Sequence, residues 1–289
     1  MAQITAALVK KLREMTDSPM MECKKALVEA DGDIEKAVDV LRTMGIAKAV
    51  KRAGRDTNEG TIACYVTDCS KVGAILELTC ETDFVGTNPK FTGFAARVAE
   101  VVAKENPAST EELLECPFEN ETVGSALTEM IHTIGENMKI ARFERREAQH
   151  GGLSSYIHLG GKLGVLVEFS FNNEETATKP EFKTFAHDVA MQIAAINPLR
   201  ARRDEVPAEI VERELEIYRA QAAESGKPEF VQEKMVQGRL EKFYKESVLT
   251  EQEFIKDSSV TISDLAKKVS KECNDTIEIM SFIRYAFGE

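Results

Sequence analysis

Phe91-Thr92-Gly93-Phe94-Ala95-Ala96-Arg97-Val98-Ala99-Glu100-Val101-Val102-Ala103-Lys104-Glu105-Asn106-Pro107 recurs in outline as Phe182-Lys183-Thr184-Phe185-Ala186-His187-Asp188-Val189-Ala190-Met191-Gln192-Ile193-Ala194-Ala195-Ile196-Asn197-Pro198, 91 positions further along the chain. In each copy two phenylalanines, an alanine, a valine and Val102 or Ile193 recur at helical spacing, and Asn-Pro closes the run. The same offset, with no gap, carries Gly60 onto Gly151, Tyr65 onto Tyr156, Lys71 onto Lys162, Gly73 onto Gly164 and Glu77 onto Glu168. A constant offset of this kind is the mark of a duplicated architecture. Upstream of each helix lie two runs rich in β-branched and aliphatic residues: Ile62 to Thr67 and Val72 to Thr79, then Leu153 to His158 and Leu163 to Phe171. Turns at Cys69-Ser70-Lys71 and Gly160-Gly161-Lys162 separate them. Each copy therefore reads as a hairpin followed by a helix, and two such units predict an α+β fold with helices covering antiparallel sheets.

The copies differ after the second strand. One reads Cys80-Glu81-Thr82-Asp83-Phe84-Val85 and the other Phe171-Asn172-Asn173-Glu174-Glu175-Thr176. The second is an ordinary polar connection. The first places a phenylalanine and a valine where water is expected, so the loop either tucks them beneath itself or offers them to a partner.

Three short helices are predicted before the duplication. Leu8, Leu12 and Met15 mark the first, from Thr5 to about Thr16, and Asp17-Ser18-Pro19 breaks it. Cys23, Ala26, Leu27 and Ala30 mark the second, which Gly32 stops. Asp33 caps the third, whose inner face is Ile34, Ala37, Val38 and Leu41, and Gly45 is expected to end it. A basic linker follows. Such a module is either a docking piece or a helical cap on the main domain. In the last third, Pro207 opens a helix carrying Val211, Leu215, Tyr218 and Ala222, Gly226-Lys227-Pro228 breaks it, and Val236, Leu240 and Phe243 mark a second. The spacing predicts an antiparallel coiled-coil hairpin. Thr261 caps a final helix to Asn274, with Asp264 three residues on, and Ile277, Ile279, Ile283 and Tyr285 predict a closing strand added to a core sheet.

Composition narrows the function classes. The 289 residues carry a net charge of -12, which argues against broad binding to a phosphate backbone, and the basic runs at Lys48, Lys51, Arg52 and Arg55, and at Arg200, Arg202 and Arg203, read as solvated linker charge. No apolar run is long enough for a membrane span, and Met1-Ala2-Gln3-Ile4-Thr5 does not open a signal peptide, so a cytoplasmic protein is expected. Cys23, Cys64, Cys69, Cys80, Cys116 and Cys273 show no Cys-x-x-Cys spacing and are expected as reduced, packed thiols; His132, His150, His158 and His187 show no metal spacing. Gly160-Gly161-Lys162-Leu163-Gly164 lacks the ending of a phosphate loop and leads into a strand, and no nucleophile elbow is present. The reading is a protein that docks on another without covalent chemistry. The competing readings are a ubiquitin-binding-like helical adaptor on an unrelated core, and a nucleic-acid-binding protein.

Glu77-Leu78-Thr79-Cys80-Glu81-Thr82-Asp83-Phe84-Val85 resembles the signature loop of the elongation factor Ts family, and Leu12-Arg13-Glu14-Met15-Thr16 followed by Met20-Met21-Glu22-Cys23-Lys24-Lys25-Ala26-Leu27 resembles its N-terminal motif. The resemblance covers essentially the whole chain. Two departures are local: Asp17-Ser18-Pro19 stands where the family usually has a glycine-containing turn, and Gly86 where alanine or serine is usual. The resemblance implies a nucleotide exchange factor, without cofactor or bound metal, that releases GDP from elongation factor Tu. Asp83 and Phe84 would be the working residues, the phenylalanine wedging between helices of the GTPase and the aspartate disturbing its magnesium and phosphate region. Thr82 and Val85 would hold the loop. Arg13, Met20, Met21, Gly135, Glu136, Asn137 and His158 would make secondary contacts, although His158 also reads as a strand histidine with a local hydrogen bond. The implied partners are elongation factor Tu, GDP-bound and nucleotide-free, and a second copy through the hairpin, with no direct nucleic acid and no membrane. The implied organisation is a UBA-like helical domain over 1–46, a linker over 47–59, core halves over 60–145 and 146–205 (the latter closed by strand 276–287), a coiled-coil hairpin over 206–248 and a C-terminal module over 249–289.

Overall fold

The computed structural model describes residues 4–287. Met1 to Gln3, part of the stretch read for a signal peptide, and the last two residues of the expected C-terminal module lie outside the described residues. Helices α1 (Ala6–Thr16), α2 (Met20–Glu29) and α3 (Ile34–Arg52) bury Leu12, Cys23, Ala26, Leu27, Ala37 and Leu41 against one another. Thr5 and Asp33 cap α1 and α3 by accepting backbone N–H bonds, and Asp17 ends α1 in the left-handed region. The third helix does not stop at Gly45. It continues to Arg52, so residues 47–52 of the expected linker are helical. The glycine serves a close crossing instead: a side-chain carbon on Gly45 would lie 3.3 Å from His132.

The first half of the core runs β1 (Glu59–Val66), β2 (Val72–Cys80), α4 (Asp83–Gly86), α5 (Pro89–Glu105), α6 (Thr110–Glu115), a small β3 (Pro117–Phe118) and β4 (Glu121–Thr122) pair, α7 (Val123–Ile134) and β5 (Met138–Glu147). Its sheet has the order β1-β2-β5, antiparallel throughout. The second half runs β6 (Gly152–His158), β7 (Leu163–Ser170), α8 (Pro180–Ile196), α9 (Ala208–Ala223), α10 (Glu229–Ser247), a small β8 (Glu253–Phe254) and β9 (Asp257–Thr261) pair, α11 (Ile262–Cys273) and β10 (Glu278–Ala286). Its sheet, β6-β7-β10, repeats the first. Asn106 and Asn197, both left-handed, end α5 and α8. The described chain is thus mixed α and β, with eleven α-helices and small antiparallel sheets.

The duplication extends beyond the segment that aligns without gaps. A small strand pair, a helix and a third strand follow in both halves, and the helix ends at a left-handed residue, Gly135 or Asn274. The hairpin α9–α10 is an insertion in the second copy. Its ends meet, with the Leu199 N–H donating to the Ser247 carbonyl (2.8 Å) and the Leu249 N–H to the Arg200 carbonyl (3.0 Å). Residues 249–287 share an apolar cluster with β7 and α8.

The central strands are covered on both faces, which is why they read as nearly continuous apolar runs. On β2, Ala74, Leu76, Leu78 and Cys80 face α5, while Ile75 joins Ile62, Leu153 and Leu166 in a layer between the two sheets. Gly73 and Gly164 let these sheets approach. A side-chain carbon on Gly73 would lie 3.0 Å from Leu166 and 3.2 Å from Leu153, and one on Gly164 2.5 Å from Ile62 and 3.3 Å from Ile75. Cys23, Cys80, Cys116 and Cys273 are buried free thiols, whereas Cys69 departs from the expected packing and is exposed. No helix of the described residues is long and apolar enough to cross a membrane.

Candidate functional site

The stretch after β2 both tucks and presents. Thr82, extended, caps α4, its hydroxyl accepting the Val85 N–H (3.4 Å), and the Asp83 carboxylate accepts the Phe84 N–H (2.9 Å). Within that single turn Val85 points into the α5 cluster at 8% exposure, while Phe84 stands in solvent at 83%. A large, stiff aromatic ring held out from a buried neighbour is an unsatisfied apolar surface.

One turn of helix does not hold itself, because nucleation is costly and its first N–H groups lack partners. Support comes from the residues that follow α7. The Glu136 carboxylate accepts the N–H groups of Glu81 (3.1 Å) and Thr82 (3.0 Å) and the Thr82 hydroxyl (2.7 Å). In return the Glu81 carboxylate accepts the Asn137 N–H (2.6 Å) and an Arg55 guanidinium N–H (3.2 Å). The Asn137 amide donates to the Arg55 carbonyl (2.8 Å) from a position only 2% exposed, so it holds the loop from behind. Beneath, the Cys80 thiol donates to the Thr82 carbonyl (3.1 Å); burial, then the nearby Glu136 charge, push its pKa up to about 12, so it stays a protonated donor. Gly86 allows α4 to sit on β1, since a side-chain carbon there would lie 3.0 Å from the Gly60 carbonyl.

The corresponding loop of the second half is held in the same way without presenting an aromatic ring. Asp275, the residue after left-handed Asn274, accepts the N–H groups of Asn172 (3.0 Å) and Asn173 (3.0 Å) and the hydroxyl of fully buried Thr176 (2.7 Å). Burial alone would raise the Asp275 pKa, but the bonds from Thr176, Asn173, Asn172 and Thr276 outweigh it and hold the carboxyl well below the usual range.

The other residues singled out in the sequence lie apart from this network. Arg13 is exposed in the last turn of α1, and Met20 and Met21 are exposed in the first turn of α2. The N-terminal helices reach the start of α5 through the Asp17–Lys90 ion pair (2.7 Å), next to α4 in sequence. His158 is exposed at the end of β6, and its Nδ1 shares a 2.8 Å hydrogen bond with the Tyr156 hydroxyl. The turn that follows it returns to the first half, where Lys162 bonds Glu59 (2.5 Å). The basic run near α3 is not simply solvated: Lys48 pairs with Glu22, Arg52 donates to the Ile131 carbonyl (2.9 Å) and Arg55 supports Glu81. In the second run, Arg203 forks between Glu241 and Glu251. Sequence reasoning missed these partners because they lie far away along the chain. Among the described residues, no group of three His, Cys, Asp or Glu side chains is placed to hold a metal ion.

Comparison with known proteins places the chain in a family. Residues 81–289 match the family model described as Elongation factor TS. The chain is 49% identical over 287 residues to an Elongation factor Ts of Clostridium perfringens (strain SM101 / Type A), covering 99% of this chain and 93% of the relative. It is 46% identical over 287 residues to that of Clostridium botulinum (strain Alaska E43 / Type E3) and 45% identical over 289 residues to that of Clostridium novyi (strain NT), with the same coverages.

Proposed function

The chain belongs to the elongation factor Ts family, and from that premise we propose that it docks on elongation factor Tu carrying GDP, disturbs the magnesium and phosphate site, and so lets GDP leave and GTP rebind during protein synthesis. It makes and breaks no covalent bond and needs no cofactor. The observation that carries the reading is the split between neighbours in α4, with Val85 anchored and Phe84 exposed. Phe84 is the wedge and Asp83, exposed beside it, the charge brought toward the magnesium region; Thr82 and Val85 hold the turn.

A diphosphate is held by magnesium and by helix-terminal N–H groups, and such sites depend on tight geometry. Burying a phenylalanine releases roughly 2–3 kcal/mol. If realised only in the nucleotide-free complex, that weakens GDP binding about a hundredfold, and by linkage GDP weakens the factor's own binding equally. Arg13, Met20 and Met21 on the UBA-like module, Gly135 beside the wedge and His158 on the second sheet supply the secondary contacts, with Glu136 and Asn137 holding the loop from behind. The partner is elongation factor Tu, GDP-bound or empty; no nucleic acid or membrane is bound directly. The hairpin α9–α10 is a coiled coil able to pair with a second copy.

The test is release of fluorescent GDP from elongation factor Tu. Native protein is expected to accelerate it, and Phe84→Ala and Asp83→Ala to slow it while remaining folded by circular dichroism. No acceleration by the native chain would sink the reading.

A further inference from the structure

We propose that Glu136 is a positioning residue for nucleotide exchange: its carboxylate sets the geometry that presents Phe84 and does not act by its charge on the partner. The inference rests on the exchange reading above. Both carboxylate oxygens are engaged by the loop. Oε2 accepts the two backbone N–H groups at the end of β2, and Oε1 accepts the Thr82 hydroxyl, whose own oxygen takes the Val85 N–H. Glu136 is thereby linked through Thr82 to the residue that anchors Phe84. Its own place is fixed by left-handed Gly135 on one side and buried Asn137 on the other.

The second half supplies an internal control. Asp275 occupies the same place after α11 and holds the equivalent loop by the same kind of bonds, where no exposed aromatic residue is presented. The carboxylate after the left-handed cap is thus a fold device in both copies. In the first copy the fold device also aims the wedge.

The measurement is fluorescent GDP release from elongation factor Tu with Glu136→Ala, Glu136→Gln, Phe84→Ala, the Glu136→Ala/Phe84→Ala pair and Asp275→Ala. A glutamine can accept both N–H groups on its oxygen and turn its amide toward the Thr82 hydroxyl, so it keeps the geometry and loses the charge. Expected is a loss of about tenfold or more in exchange efficiency for Glu136→Ala, recovery of most of it in Glu136→Gln, and no further loss when Glu136→Ala is added to Phe84→Ala. Asp275→Ala is expected to lower thermal stability and leave exchange per folded molecule unchanged. Equal losses in the alanine and glutamine variants, or full additivity with Phe84→Ala, would overturn the positioning role while leaving the exchange reading intact. Native protein that does not speed release would overturn both.

Discussion

Gly45 meets His132 where α3 crosses α7: the imidazole of the fully buried histidine lies 3.3 Å from where a side-chain carbon on the glycine would be. The crossing seats the N-terminal helices on the first half of the core, and Arg42 reinforces it by donating to the Ser125 hydroxyl (3.1 Å). Gly45→Val is expected to push the helices apart and cost about 2 kcal/mol. Gly45→Ala should lie closer to neutral, because alanine returns up to about 1 kcal/mol of helix propensity. Urea unfolding of the two variants checks this; a valine variant as stable as the native chain would show the contact to be slack.

Val85 and Phe84 should separate stability from exchange. Val85→Ala opens space in the α5 cluster and is expected to cost about 2 kcal/mol. Phe84→Ala removes a ring already in water, so its unfolding free energy should stay within about 0.5 kcal/mol of native. A large stability loss in Phe84→Ala would mean that the ring packs on the chain itself.

Asp275 gives the fold an acid dependence of known sign. Its carboxyl titrates lower in the folded chain than in the unfolded one, so its contribution is complete above the ordinary aspartate value of about 4 and disappears as pH falls through the native value. Asp275→Asn should therefore be clearly less stable than native protein at neutral pH, with the gap narrowing below about pH 4. Thermal unfolding of the pair across that range is the measurement, and a gap constant with pH would contradict the assignment.

The inserted hairpin should be removable. Its ends are tied at Leu199–Ser247 and Leu249–Arg200, and α9 and α10 pack mainly on each other. Replacing residues 208–245 by a short Gly-Ser link is expected to reduce helical content in proportion and leave cooperative unfolding. Non-cooperative melting would make the hairpin integral to the core.

The two hairpin-plus-helix units were legible because local periodicity and a constant offset point the same way, and both Asn-Pro helix ends follow from that pattern. The later part of each repeat was hidden. Position 275 lies 139 residues after position 136, not 91, because the hairpin intervenes, so the two carboxylates never fall into register. At Gly45 local propensity misled, since the reason for the glycine lies on another helix. The loop at 82–85 was recognisable as unusual, but which apolar residue turned inward depended on the cap at Thr82 and on Glu136, more than fifty residues away.

The layer between the sheets obeys a two-fold rule. Gly73 receives Leu166 and Leu153, and Gly164, its counterpart, receives Ile75 and Ile62, which are the counterparts of those leucines. Such reciprocity is the grammar of an isologous dimer, in which one patch recognises itself. Two identical halves meeting face to face would satisfy the same kind of contact. Within one chain the two loops need not match, and that asymmetry leaves room for a single exposed phenylalanine, Phe84, on an otherwise symmetrical body.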